Sequence, residues 1–207
     1  MKKKLIISLV PIAVVAIAGL GITSAVATTG VTTYKATLHS VNHATGYGTL
    51  RLTLKGNVAT ISETVSGLAA TFGGAAYPHV QHIHGLAMGQ CAPSTADKNA
   101  DGVVSTTEGS PFYGPIVTTL DVTGSTSPSA GTNIKAAPSG GSYTYHRTIT
   151  LSANAVMAIK GGTAVIVVHG LDPATLSKKA QGEKSDLVPA LPLAATSPAL
   201  CGRLVHR

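Results

Sequence analysis

Two groups of residues in this sequence carry donor atoms at metal-ligand spacing. The first is the stretch DKNADGVVSTTE, from Asp97 to Glu108. Asp97, Asn99 and Asp101 fall at positions 1, 3 and 5 of a calcium loop, and Gly102 takes the sharp-turn position 6. The Val103 carbonyl would serve at 7, Ser105 at 9, and Glu108 as a bidentate carboxylate at 12. Hard oxygen donors in that number suit Ca2+; the plainer alternative is a solvated acidic turn. The second group is His82-Ile83-His84 together with His169. Residues two apart on a strand face the same way, so His82 and His84 can reach one ion. His169 ends the apolar run AVIVVH, from which a third imidazole would approach on a neighbouring strand. Spacing alone favours two ordinary strand histidines over a site.

The elements that must position these residues are strands. Tyr34, Ala36 and Leu38 alternate with polar residues, as do Leu50, Leu52 and Leu54, and Gly56-Asn57 turns the chain into Val58 to Val65. That last strand is irregular, because Glu63 shares a face with Ile61 and Val65. Val80–His84, Ile116–Val122 and Tyr143–Leu151 are further strands, and Thr163–Val168 reads as one buried on both faces. A final strand is predicted near Leu200–His206, after a long connection from Gly170 to Ala199. One short helix is expected over Ser152–Lys160, capped by Ser152 and stopped by Gly161-Gly162. No helix is expected beside the calcium loop. Cys91–Ala96 is short and contains Pro93, and Gly109-Ser-Pro111 should stop one on the other side. The pattern predicts an all-β fold: an antiparallel Greek-key β-sandwich or flattened barrel with long loops and at most one short helix.

Composition agrees with that reading and narrows the functions. The chain has 207 residues, of which only 11% are charged, with 23 Gly and 11 Pro. The N-terminus has the form of an export signal: Lys2-Lys-Lys4, an apolar run from Leu5 to Ile22, and a small-x-small site at Ala25-Val-Ala27. Cleavage after Ala27 would leave a short linker, 28–33, and one domain, 34–207. The alternative is an uncleaved anchor, which is the one way the sequence offers membrane attachment. The net charge of +7 falls to +4 without Lys2, Lys3 and Lys4, and the remaining basic residues are scattered. No basic stripe with interleaved aromatics occurs, so nucleic acid is not an expected partner, and no protein partner is legible. Cys91 and Cys201, the two cysteines, read as one disulfide if the chain is exported, or else as two buried thiols.

HIHG at 82–85, VVHG at 167–170 and ALCG at 199–202 resemble the copper/zinc superoxide dismutase fold in order and spacing. The segment Tyr34–Gly85, with ATL, GYGTLRLTL, NVATI, SGLA and HIHG, is similar to a bacterial CHRD domain. The resemblance covers most of the chain from Tyr34 to Cys201, the long loops least well. It implies a Greek-key sandwich whose disulfide ties the loop after the H-x-H strand to the last strand, where Cys91 and Cys201 stand. It also implies that His82, His84 and His169 match three of the dismutase's copper ligands. Three imidazoles suit copper chemically. The match is incomplete. No histidine occurs between His84 and His146, so the bridging ligand and the other zinc histidines have no counterpart, and zinc is not expected. Thr196-Ser-Pro-Ala-Leu200 stands where the guiding arginine would lie, and Arg203 follows Cys201 instead. The EF-hand-type loop occupies the place of the dismutase's zinc loop, where calcium would order a long excursion without a helix pair. Such a site is expected to be a fixed staple rather than a sensor.

The remaining histidines are expected to be unremarkable in function. His79 faces away from His82 on an extended strand, and His39, His43, His146 and His206 fall in turns or exposed positions. Two functions follow from different classes. One is a secreted or extracytoplasmic calcium-stapled CHRD/dismutase-like domain, acting as a metal-binding or interaction module. The other is an enzyme, a mononuclear copper superoxide dismutase using His82, His84 and His169, for which Lys178, Lys179 or Lys184 would have to supply the positive charge.

Overall fold

Alternating burial runs through the first half of the chain as the pattern predicts. Tyr34, Ala36 and Leu38, then Leu50, Leu52 and Leu54, then Ala59, Ile61 and Val65 are all buried. The computed structural model describes residues 30–207; the predicted export signal, its predicted cleavage site and residues 28 and 29 lie outside the described residues. Among the described residues eleven strands occur: β1 (Val31–Ser40), β2 (Tyr47–Lys55), β3 (Val58–Ser66), β4 (Thr71–Phe72), β5 (Ala75–Ala76), β6 (Gln81–His84), β7 (Ile116–Thr119), β8 (Ser142–Thr150), β9 (Val165–His169), β10 (Pro198–Arg203) and β11 (Val205–His206). Nine of them form one sheet in the order β7-β6-β9-β10-β1-β2-β3-β8, with β11 beside β1. Every pairing is antiparallel.

The sheet curls into a half-barrel with two leaves, β1-β2-β3-β8 and β10-β9-β6-β7, giving the all-β, sandwich-like fold expected from the sequence. Ile83, Ile166, Val168 and Leu200 of the second leaf join Leu38, Leu50, Leu52 and Ile61 of the first in one core. Each such side chain, wholly removed from water, stabilises the fold by roughly 1.5–3 kcal/mol. Glu63 is the exception that the pattern foreshadowed. Its carboxyl is buried beside Gln81, neither oxygen has a hydrogen-bond partner, and burial pushes its pKa up to about 8.

β9 lies between β6 and β10, so all five of its residues are buried. Register decides what its outer face carries. His82 lies opposite Val167, His84 opposite Val165, and Cys201 opposite Val167 from the other side. The histidines and Cys201 therefore share the face turned away from the main core, where Val165, Val167, Tyr113 and Cys201 form a second small cluster.

Four short helices cover the fold: α1 (Thr106–Tyr113), α2 (Ala153–Lys160), α3 (Lys178–Gly182) and α4 (Leu193–Thr196). α2 starts on the Ser152 cap and ends at Gly161 as predicted. The other three exceed the single helix expected. α3 and α4 are one-turn pieces too short to show periodicity. α1 forms despite Pro111 because Ser105 and Glu108 close a reciprocal capping box at its start. Pro111 has no N–H for the Thr107 carbonyl, but Thr107 is exposed and that carbonyl can be hydrated. No helix among the described residues is long and apolar enough to cross a membrane.

Cys91 and Cys201 form a disulfide, with Cα atoms 5.8 Å apart and 110 positions separating them. Closing a loop of that length is worth on the order of 4–5 kcal/mol through the unfolded chain's entropy. The bond also anchors the segment leading into the 97–108 loop to the outer face of β10.

Candidate metal centre

His82 and His84 leave β6 on one face, and His169 reaches the same place from the end of β9. Their ring centroids lie 5.1–6.1 Å apart. One ring nitrogen from each brings the three potential ligand atoms within 4.8 Å of one another. Gly170, directly after His169, has φ +106°, and a Cβ there would sit 2.8 Å from His79 Nδ1. The VVHG motif thus needs its glycine to turn the chain away once the histidine is placed.

Hydrogen bonding assigns a proton to each ring. His82 Nε2 donates to the Gly131 carbonyl (3.0 Å), His84 Nδ1 to the Gly114 carbonyl (2.8 Å) and His169 Nδ1 to the Thr196 carbonyl (2.7 Å). A carbonyl only accepts, so the proton of each neutral ring sits on the bonded nitrogen. The other nitrogens, His82 Nδ1, His84 Nε2 and His169 Nε2, are buried without a partner. Those three are the nitrogens left to serve a ligand, one from each ring of the group. Orientation of a ligating ring through its far N–H is what metal sites commonly show.

Electrostatics keep the rings neutral. Burial first, then the neighbouring His169 and His84, hold the His82 pKa well below the usual imidazole range, against the Gly131 carbonyl. Burial and His169 lower that of His84 to about 3, and burial lowers that of His169 to about 4. Near neutral pH no proton competes for the three lone pairs.

A cavity of about 280 Å³ opens above the histidines. Val80, Ile116 and Leu187 line it, with α1 contributing Thr106, Thr107 and Tyr113. Tyr113 packs edge-on against His84, with ring centroids 4.8 Å apart.

The calcium-loop residues come together differently. Asp97 Oδ2 accepts from Gly102 N (2.9 Å), Asn99 Oδ1 from Asp101 N (3.0 Å), and Asp101 Oδ1 from Val103 N (2.6 Å). Glu108 accepts from Lys98 N (2.7 Å) and Ser105 N (2.9 Å), and Ser105 Oγ donates to Asp186 (2.7 Å). Gly102 sits at φ +94°, as the turn position requires. The loop's backbone amides thus engage most of its side-chain oxygens; Asp97 Oδ1 is buried and unpaired. Asp97, Asp101 and Glu108 form no tight donor group of the kind the histidines make.

Other predicted positions fall outside the centre. His79 lies behind it, its ring between the carbonyls of His169 and Ala69. His39, His43, His146 and His206 are exposed. Arg203 donates to the Gly162 carbonyl, and Lys179 to the Asn99 carbonyl. None of Lys178, Lys179, Lys184 and Arg203 lines the cavity. The three orienting carbonyls, at Gly114, Gly131 and Thr196, escape sequence reasoning, since a backbone acceptor leaves no residue signature.

No protein-family model matches this chain, and no curated protein does.

Proposed function

We propose that this protein is an exported domain that binds one copper ion through His82, His84 and His169 and acts as a metal-binding or interaction module outside the cytoplasm. One observation carries the reading: three buried, uncharged rings stand together, each with one nitrogen unpaired and its far nitrogen tied to a backbone carbonyl. Leaving three buried acceptors unpaired costs roughly 1–3 kcal/mol each, a penalty that coordination removes. Imidazole donors suit copper, which supplies Lewis acidity and one-electron redox chemistry when bound. The resemblance of the sequence to CHRD and copper/zinc dismutase domains supports giving the same three histidines that role. The Gly114, Gly131 and Thr196 carbonyls hold the ring protons at the far nitrogens, so the lone pairs stay turned inward. Calcium held by Asp97, Asn99, Asp101, Ser105, Glu108 and the Val103 carbonyl would order the excursion that carries α1. The Cys91–Cys201 disulfide supports export to an oxidising compartment.

The dismutase alternative has less behind it, because no cationic side chain lines the cavity above the histidines. Fast capture of an anion gains from positive charge at the mouth, by a factor of roughly 10–10³. Equilibrium dialysis of the purified protein against copper tests the proposal. One copper per chain is expected, with none retained by His84→Ala or His169→Ala. Copper retained equally by those variants would defeat it.

A further inference from the structure

The cavity over the histidines has a composition that restricts what can enter it. Its lining contains no lysine, arginine, aspartate or glutamate. The apolar walls come from Val80, Tyr113, Pro115, Ile116 and Leu187, and the hydroxyl-bearing lining residues include Thr106, Thr107, Ser110 and Thr132. Asp186, whose carboxylate accepts from Ser105 Oγ and Thr107 N, does not line it. At about 280 Å³ the space is near the lower end of ligand pockets, which run from about 300 to 1,000 Å³. A second cavity of about 270 Å³ shares Val80, Thr132 and Thr196 with it, and adds Phe72, Ile134 and Pro192. Leu187 and Ile134 are each 52% exposed and Phe72 37%, so the lips of both spaces are apolar as well.

We infer that the space above His82, His84 and His169 binds an uncharged, largely apolar small molecule, of aromatic or short alkyl type. The inference deepens the proposed metal centre by naming the ligand class that meets it, and rests on that reading only for its importance to function. In the metal-free protein an anion entering would lose its hydration and find no cationic side chain, a cost that rises steeply as water is excluded. A neutral ring loses little on leaving water and meets apolar walls on several sides. Hydroxyls of Thr106, Thr107, Ser110 and Thr132 can orient one polar substituent. A longer apolar molecule would run past Val80 into the second cavity.

Benzyl alcohol and benzoate are similar in size and shape and differ in charge, so they isolate the property at issue. Each is titrated into the metal-free protein while the methyl NMR signals of Val80, Ile116 and Leu187 are followed. Benzyl alcohol is expected to shift these methyls saturably, with benzoate at least about tenfold weaker. Leu187→Lys and Thr132→Lys, both at exposed lip positions, should each narrow or reverse that preference. Benzoate binding as tightly as benzyl alcohol, or no saturable shift by benzyl alcohol, would overturn the inference. Copper titration of the same samples is read separately, so loss of copper binding with cavity binding intact counts only against the metal centre.

Discussion

The histidine centre and the 97–108 loop both present metal-ligand chemistry in the sequence, yet the fold treats their donors in opposite ways. In the centre each ring spends one nitrogen on a backbone carbonyl and leaves the other buried with nothing to bind. In the loop most oxygens are already engaged, Asp97 by Gly102, Asp101 by Val103, and Glu108 by Ser105 and Lys98. The first arrangement is costly unless an ion arrives, and the sheet sustains it by rigid packing. The second holds itself together, so calcium would add to a loop that is already ordered. Ligand spacing therefore says which atoms a chain can offer, and the remaining hydrogen-bond partners say whether they are free.

The largest expected effect separates the two regions by pH. Histidines with folded pKa values lowered from 6.5 to about 3 and about 4, as for His84 and His169, remain neutral where the unfolded chain takes up protons. Their contribution to stability is present above pH 6.5 and is lost as pH falls toward 4 and below, by on the order of 5 kcal/mol in the metal-free protein. Urea unfolding between pH 7 and pH 4 should show this loss, reduced in His84→Gln and unchanged in Asp97→Asn. A loss identical in His84→Gln would erase the distinction.

Next in size is the bond joining the regions. Cys91→Ser should cost about 4–5 kcal/mol in the chain-entropy picture, measured by the same unfolding experiment. A cost under about 1 kcal/mol would show that the unfolded chain is not the state the bond restrains.

Calcium should act more gently. At about one hundred times its dissociation constant it would stabilise by about 2.7 kcal/mol, and thermal melting reads this directly. Glu108→Ala should abolish that gain and also cost about 1 kcal/mol without calcium, since the α1 capping box is lost. Melting indifferent to both calcium and chelator would leave the loop a self-sufficient turn.

The last effect is a control on burial itself. Glu63 is buried and unpaired like the histidine nitrogens, but among the described residues it belongs to no such donor group. Its folded pKa, raised from 4.5 to about 8, means that its stability contribution holds below pH 4.5 and is lost as pH rises through 8. Glu63→Gln should therefore be more stable than the parent at pH 8, by on the order of 4 kcal/mol, and show no advantage at pH 4. Equal stability at pH 8 would show that the buried carboxyl is relieved by water.

Much of this was legible in the residue pattern. Period-two alternation located β1, β2, β3 and β8, and the unbroken run before His169 marked the central strand that is buried on both faces. The H-x-H pair and His169 were visible as types and spacing. Their convergence was expected from strand geometry and the resemblance, and the register that sets His82 against Val167 is what brings it about. α1 was hidden because Gly109 and Pro111 speak against a helix locally, while the Ser105–Glu108 box and the packing of Tyr113 on His84 outweigh them. β4 and β5, two residues each, are too short to carry any periodicity.

The central claim is that three particular ring nitrogens are free to bind metal and their three counterparts are not. Imidazole ¹⁵N NMR with and without one equivalent of copper(I) reads it atom by atom. His82 Nδ1, His84 Nε2 and His169 Nε2 should shift on addition of the ion, while His82 Nε2, His84 Nδ1 and His169 Nδ1 keep their protons throughout. Shifts at His39, His43 or His146 instead, or protons found on the converging nitrogens of the metal-free protein near neutral pH, would contradict it.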